Sequence, residues 1–201
     1  MRSDAPTLAP TFRSRLQGDL LALVLPWPDR EWTVSELALR LKAPLTTVQS
    51  EVTRLVSGNV LSSRRVGRNR LVRADAANPA VAPLTQLTLV TFGPHTVIAD
   101  EFAVLGADRV LLFGSWAARY HGEAGPTPAD IDVLVVGDRI DRTESYEAAE
   151  RAEQRLGLPV NPVLRTSDAW SDPRRDPLLS EIVNRPHVEV LGGGHEVDAR
   201  I

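Results

Sequence analysis

The chain has 201 residues, 43% of them hydrophobic and 24% charged, with no cysteine and a formal net charge of −3. That length carries one large domain or two small ones, each with its own core, and a chain without cysteine forms no disulfide and does no thiolate chemistry. No apolar run reaches the roughly 18 residues of a membrane-spanning helix, so no membrane partner is expected and a cytoplasmic setting is.

The net charge hides an asymmetry. Residues 1–80 hold 12 basic and 7 acidic side chains, net +5, and residues 81–201 hold 11 and 19, net −8. A basic front and an acidic rear suggest two modules with different partners, and the sign of the first suits nucleic-acid phosphates.

Residues 1–11 carry Pro6 and Pro10 among polar residues without an apolar core, which predicts a disordered start and no signal peptide. The spacing of Phe12, Leu16, Leu20, Leu23 and Val24 predicts a helix over 12–25, ended by Pro26-Trp27-Pro28. Thr33 followed by Glu36 is a capping-box pattern that opens a second helix, Val34–Leu41. After Lys42-Ala43-Pro44 a third helix, Leu45–Val56, turns Leu45, Val48, Val52, Leu55 and Val56 inward, with Gly58 suited to a left-handed C-terminal position. Its outward face carries Thr46, Thr47, Gln49, Ser50, Thr53 and Arg54. Val60–Val66 and Arg70–Arg73 flank Gly67-Arg68-Asn69, a hairpin signal carrying Arg64, Arg65, Arg68, Arg70 and Arg73.

Two short helices joined by a tight turn, followed by an arginine-rich hairpin, resemble over residues 12–75 the winged helix-turn-helix domains of bacterial transcription regulators, including the ArsR-like kind. The resemblance implies binding to double-stranded DNA. Thr46, Thr47, Gln49, Ser50 and Arg54 would then face the major groove, and Arg64, Arg65, Arg68 and Arg70 the phosphates or the minor groove. It also implies a homodimer, since paired half-sites favour symmetric binding.

Asn78-Pro79 can start another helix, Ala80–Phe92, whose uncharged surface either makes a dimer contact or packs on the chain's own domains. Gly93-Pro94 breaks it, and His95–Leu105 continues as a second helix. The pair is read as a connector over 77–106.

Val110–Phe113 and Ile131–Val136 are apolar runs with the length of buried strands. Between them lie Gly114-Ser115, a turn-rich loop and the pair Asp130 and Asp132. Alternation along a strand points both carboxylates the same way, so that one hard cation such as Mg²⁺ could relieve their repulsion. The small Gly-Ser turn leaves backbone N–H groups and a hydroxyl free to cradle phosphates. Farther on, Arg142–Leu156 is a polar helix with Tyr146, Ala149, Ala152 and Leu156 as its inward stripe. Val160–Leu164 is a third strand, Trp170–Pro177 a turn-rich loop, Leu178–Asn184 a short helix, and His187–Leu191 an edge strand before a flexible tail over 192–201. His95, His121, His187 and His195 show no metal-ligand spacing, and the tryptophans read as core or interface residues.

A buried strand ending in Gly-Ser, with Asp-x-Asp opening the next strand, resembles over residues 107–165 the minimal nucleotidyltransferases of the DNA polymerase beta superfamily. The resemblance implies that Asp130 and Asp132 are catalytic metal ligands for Mg²⁺ or Mn²⁺. Gly114 and Ser115 would then hold a nucleoside triphosphate, ATP being the first candidate. The family's third carboxylate falls here at Asn161, an amide that can ligate through oxygen but cannot carry charge or accept a proton. Glu153, Asp168 and Glu189 are possible substitutes that the sequence does not choose among. Ala129, where a serine is common, and the longer Trp116–Tyr120 segment also depart from the pattern. Arg119 could touch phosphate or simply be exposed.

The expected fold class is α/β (α+β). A winged helix-turn-helix over 12–76 and the connector precede a nucleotidyltransferase-like domain over 107–191 with a small mixed sheet. The expected function is a DNA-binding transcriptional regulator whose second domain binds Mg–nucleotide. The alternative is an active nucleotidyltransferase of the toxin–antitoxin or antibiotic-modifying type, acting on an RNA, a protein or a small molecule. A third reading makes both halves binding modules of a larger complex.

Overall fold

The computed structural model describes residues 8–192 of a mixed α+β chain with a three-stranded and a four-stranded sheet. Most of the expected tail lies outside the described residues, as do His195 and residues 1–7. Residues 9–11 of the expected disordered start form a 3-10 turn.

The chain divides into two compact units between Gly93 and Pro94. In the first, α1 (Arg15–Val24), α2 (Val34–Arg40) and α3 (Leu45–Ser57) are followed by the hairpin β2 (Leu61–Val66) and β3 (Asn69–Ala74), and then by α4 (Val81–Phe92). A two-residue strand not expected from the sequence, β1 (Trp32–Thr33), pairs with β3 and completes the sheet in the order β1-β3-β2. The core gathers Leu20, Val24, Trp32, Leu37, Val48, Val52 and Leu61.

Local chemistry sets the helix ends, with three departures from expectation. The Thr33 hydroxyl accepts from the Glu36 N–H at 3.1 Å, as a capping box requires, whereas the Glu36 carboxylate is engaged by Arg40 and Arg30. After α3 the left-handed residue is Asn59, with φ +56°, while Gly58 stays at φ −90°. Asparagine tolerates that conformation better than most side chains. Asn78 makes a local turn, accepting from the Ala80 N–H at 2.9 Å, so α4 starts later than the sequence suggested.

The expected connector is not a separate element, because its two helices belong to different units. Helix α4 packs on α1, where a Cβ on Gly18 would run into the Phe92 ring, and Phe92 meets Phe12 edge-on at 4.9 Å.

The second unit begins with α5 (Pro94–Phe102) and continues through β4 (Arg109–Phe113), α6 (Gly114–Tyr120), β5 (Ile131–Val136), α7 (Arg142–Leu156) and β6 (Val160–Arg165). It ends with α8 (Ser167–Ser171), α9 (Pro177–Val183) and β7 (Val188–Leu191). The sheet order is β6-β5-β4-β7, parallel only between β5 and β6, with α7 as their crossover. Leu111, Leu134 and Val136 face Leu179 and Ile182 of α9. Val110, Leu112, Val133 and Val135, on the opposite face by alternation, are equally buried. Helices α5 and α7 pack together and contact β4, β6 and β7.

One expectation fails here and another needs narrower bounds. Tyr146 is 45% exposed, and the inward stripe of α7 is Ser145, Ala148, Ala149, Ala152 and Leu156. The expected turn-rich loop over Trp170–Pro177 is shorter, residues 172–176 with a 3-10 turn over Pro173–Arg175, because its start belongs to α8, capped by Thr166, and its end to α9. No helix among the described residues is long and apolar enough to cross a membrane.

Candidate functional site

In the first unit, the surface that matters is set by helix periodicity and strand register. Val48, Val52 and Leu55 bury one side of α3, which leaves Thr46, Thr47, Gln49, Ser50 and Thr53 exposed on the other. In the hairpin, Arg65 stands opposite Arg70 and Arg64 opposite Leu71, with Gly67-Arg68 at the tip. Between them opens a groove of about 390 Å³, lined by Gln49 and Thr53 of α3, Arg65, Arg68, Asn69 and Arg70 of the hairpin, and the start of α2.

The arginines are not equivalent. Arg64 is held by Glu31 in a two-pronged ion pair, Nε to Oε1 at 2.7 Å and Nη2 to Oε2 at 2.5 Å. Arg54 is paired with Glu51, a carboxylate buried on α3. Arg70 donates to the Thr53 hydroxyl at 2.9 Å and the Ser63 hydroxyl at 3.4 Å, so it braces the hairpin against α3. Arg65 and Arg68 are exposed and face the groove. Glu31, Thr33 and Ser35 therefore belong to this surface and the buried Glu51 backs it, although the sequence did not single them out for it. The only sequence signal was the i, i+3 spacing of Glu51 and Arg54.

In the second unit, register assembles the site. Asp132 of β5 lies opposite Phe113 of β4 on one side and Asn161 of β6 on the other. Asp130 immediately precedes β5, on the same face by alternation. One atom reads out that proximity: Asn161 Nδ2 donates to Asp130 Oδ2 at 2.9 Å and to Asp132 Oδ1 at 3.4 Å. The orientation of the amide is assigned by this hydrogen-bond network. Burial pushes the Asp132 carboxyl above the usual range, the nearby Asp130 charge adds to this, and the Asn161 hydrogen bond offsets part of it.

Gly114 closes the other side. It has φ +73°, and a Cβ there would lie 2.5 Å from Asp132 Oδ2, so both its conformation and the close approach of the carboxylate require glycine. Helix α6 starts at Gly114 itself rather than after a turn, and no side chain caps it. Gly114 and Ser115 are exposed beside the carboxylates.

Other candidates are engaged elsewhere. Arg119, half-buried, donates to the carbonyls of Glu123 and Pro126 and pins the loop over 122–126, which neither sequence reading foresaw. Glu153 accepts from the Val160 N–H at 2.8 Å, and Glu189 pairs with Arg109 at 2.5 Å. Asp168 stands in α8, beyond the far end of β6. His121 shares a 3.1 Å hydrogen bond with the His187 carbonyl. His95 packs against Trp116 and Tyr120, at ring separations of 5.9 and 5.2 Å, and its desolvation drives its pKa down to about 4.

The donor set fits a hard divalent cation in part. Two convergent carboxylates and an exposed glycine edge supply oxygen ligands and room for phosphate, while the third position presents an amide N–H instead of an oxygen. Among the described residues, no group of three or more His, Cys, Asp or Glu side chains is arranged to hold a metal. No protein-family model matches the chain, and no curated protein matches it significantly.

Proposed function

We propose that this protein is a DNA-binding transcriptional regulator that joins a winged helix-turn-helix module to a nucleotidyltransferase-like domain binding Mg–nucleotide, with ATP as the first candidate. The observation that carries the reading is the approach of Gly114 to Asp132 beside Asp130. An exposed backbone without a side chain next to paired, half-buried carboxylates suits a triphosphate and its cation.

The DNA half is supported by the uncharged polar face of α3 and by the groove it shares with Arg65, Arg68 and Arg70. Gln49 matches an adenine edge, the threonines can fix register, and Arg65 and Arg68 match phosphates. A cytoplasmic homodimer is part of the proposal, since symmetric half-sites raise both affinity and specificity.

Mg²⁺ or Mn²⁺, when bound, would neutralise the triphosphate and favour in-line attack. The chain's own contribution is narrower. Asp130 and Asp132 offer carboxylate oxygens, Gly114 and Ser115 offer N–H groups and a hydroxyl to phosphate, and Asn161 cannot accept a proton from an attacking hydroxyl. The last point favours a nucleotide-sensing domain over an enzyme. The retained aspartate pair favours the second reading, an active nucleotidyltransferase acting on an RNA, a protein or a small molecule.

Two assays separate these readings. The first follows label transfer from α-phosphate-labelled nucleoside triphosphates, with Mg²⁺, to the protein and to total cellular RNA, using Asp130→Ala/Asp132→Ala as control. The second follows binding to a mixed-sequence DNA duplex with and without ATP. Salt-sensitive DNA binding that ATP alters, without transfer, is the expected result. Transfer lost in the double variant would establish the second reading, and absence of both activities would remove the proposal.

A further inference from the structure

Asn161 occupies the acceptors that a cation would use. Its Nδ2 sits 2.9 Å from one Asp130 oxygen and 3.4 Å from one Asp132 oxygen, and its position on β6 is set by pairing directly with Asp132. A primary amide has two N–H donors on nitrogen and acceptors on oxygen only. In this orientation it presents partial positive charge to both carboxylates, as a bound cation would. We infer that Asn161 is an affinity-setting residue: its amide competes with a divalent cation for the carboxylate lone pairs and holds the Asp130–Asp132 pair together without one. The inference rests on the reading of that pair as a metal–nucleotide site and goes beyond it, because it assigns Asn161 a role opposed to that of a ligand.

The physical basis is competition at shared oxygens. A cation entering between the carboxylates must displace two N–H···O contacts, and turning the amide to offer its oxygen gives up the same two contacts. The site also carries two formal negative charges where a third carboxylate would make three, and affinity for a hard cation rises with ligand charge. Asn161 is exposed on β6, which is an edge strand, so substitutions there leave the core untouched. An aspartate at this position would remove the competing donor and complete a three-carboxylate set in one step.

The test is direct titration of Mn²⁺ into the full-length protein, read by electron paramagnetic resonance of the free ion, for the wild type, Asn161→Asp, Asn161→Leu and Asp132→Asn. Thermal unfolding with and without Mn²⁺ supplies a second readout. Asn161→Asp is expected to bind Mn²⁺ about tenfold or more tighter than the wild type. Its metal-free form should melt earlier and recover on adding the ion. Asn161→Leu, which deletes the donor without adding a ligand, should keep or modestly gain Mn²⁺ affinity and lose metal-free stability. Equal binding by wild type and Asn161→Asp, or loss of binding in Asn161→Leu, would show that Asn161 ligates through its oxygen. The inference would then be overturned and the metal-site reading kept. Absence of binding in every variant, with no effect of Asp132→Asn, would overturn both.

Discussion

The two candidate sites are built by opposite means. Around the hairpin, long exposed arginines reach for whatever lies near, so two of the cations that looked equivalent, Arg54 and Arg64, are committed to Glu51 and Glu31. Around β5, short side chains on paired strands have nowhere else to go. Asp132 meets Asn161 and Gly114 because register and a missing Cβ put them there. The contrast teaches that a short polar residue on a central strand can be placed from sequence. A flexible cation on a surface can only be counted.

The sharpest way to break that contrast is Asp132→Asn. It is expected to lower Mg²⁺-dependent nucleotide binding by about a hundredfold, roughly 3 kcal/mol, while leaving DNA affinity in the absence of nucleotide unchanged, as measured by calorimetry and by anisotropy on a DNA duplex. A matching loss of DNA binding would mean that the two sites are not separable. Gly114→Ala comes next, since it forces a side chain into a left-handed conformation against a carboxylate. It should cost about 1–3 kcal/mol in urea unfolding and also impair nucleotide binding. Gly18→Ala, against Phe92 in the first unit, should cost a similar amount but spare nucleotide binding.

The second unit should also be the acid-sensitive one. His95 has a folded pKa near 4, below the unfolded value of 6.5, so the unfolded chain binds more protons between those values. The His95 contribution to stability should therefore be flat above about pH 6.5 and fall by roughly 1 kcal/mol per pH unit toward pH 4, partly offset by Asp132, whose raised pKa acts with the opposite sign. His95→Phe should remove most of that slope in urea titrations at several pH values.

The smallest effects are expected at the hairpin and test the inequality of its arginines. Replacing both Arg65 and Arg68 with Ala should flatten the salt slope of DNA binding by about 2. Arg64→Ala should change the slope by less than either, because Glu31 already occupies its guanidinium. Glu31→Ala, which frees Arg64, should tighten DNA binding at low salt. Equal effects from all three arginines would show that the Glu31 pair opens at no cost.

Much of the fold was readable because its signals are local. Apolar spacing located α1, α3, β4 and β5, and the Thr33 hydroxyl marked the start of α2. Misreadings came where two local solutions compete. Gly58 and Asn59 can both end α3, and Asn78 can cap a helix or fold into its own turn. Tyr146 looked inward because the small Ser145 and Ala148, which permit close packing of α7, carry little apolar signal.

The sequence by itself determined the mixed α+β class, the strand that carries Asp132 with Asp130 just before it, and the polar face of α3, because each follows from periodicity within one segment. Only the tertiary structure decided which arginines face the groove uncommitted, that Arg119 holds a loop, that the two expected connector helices belong to different units, and that Asn161 turns its nitrogen toward both aspartates. Those outcomes depend on contacts between residues far apart in the chain, and no spacing rule within one segment encodes which of several compatible partners will be in reach.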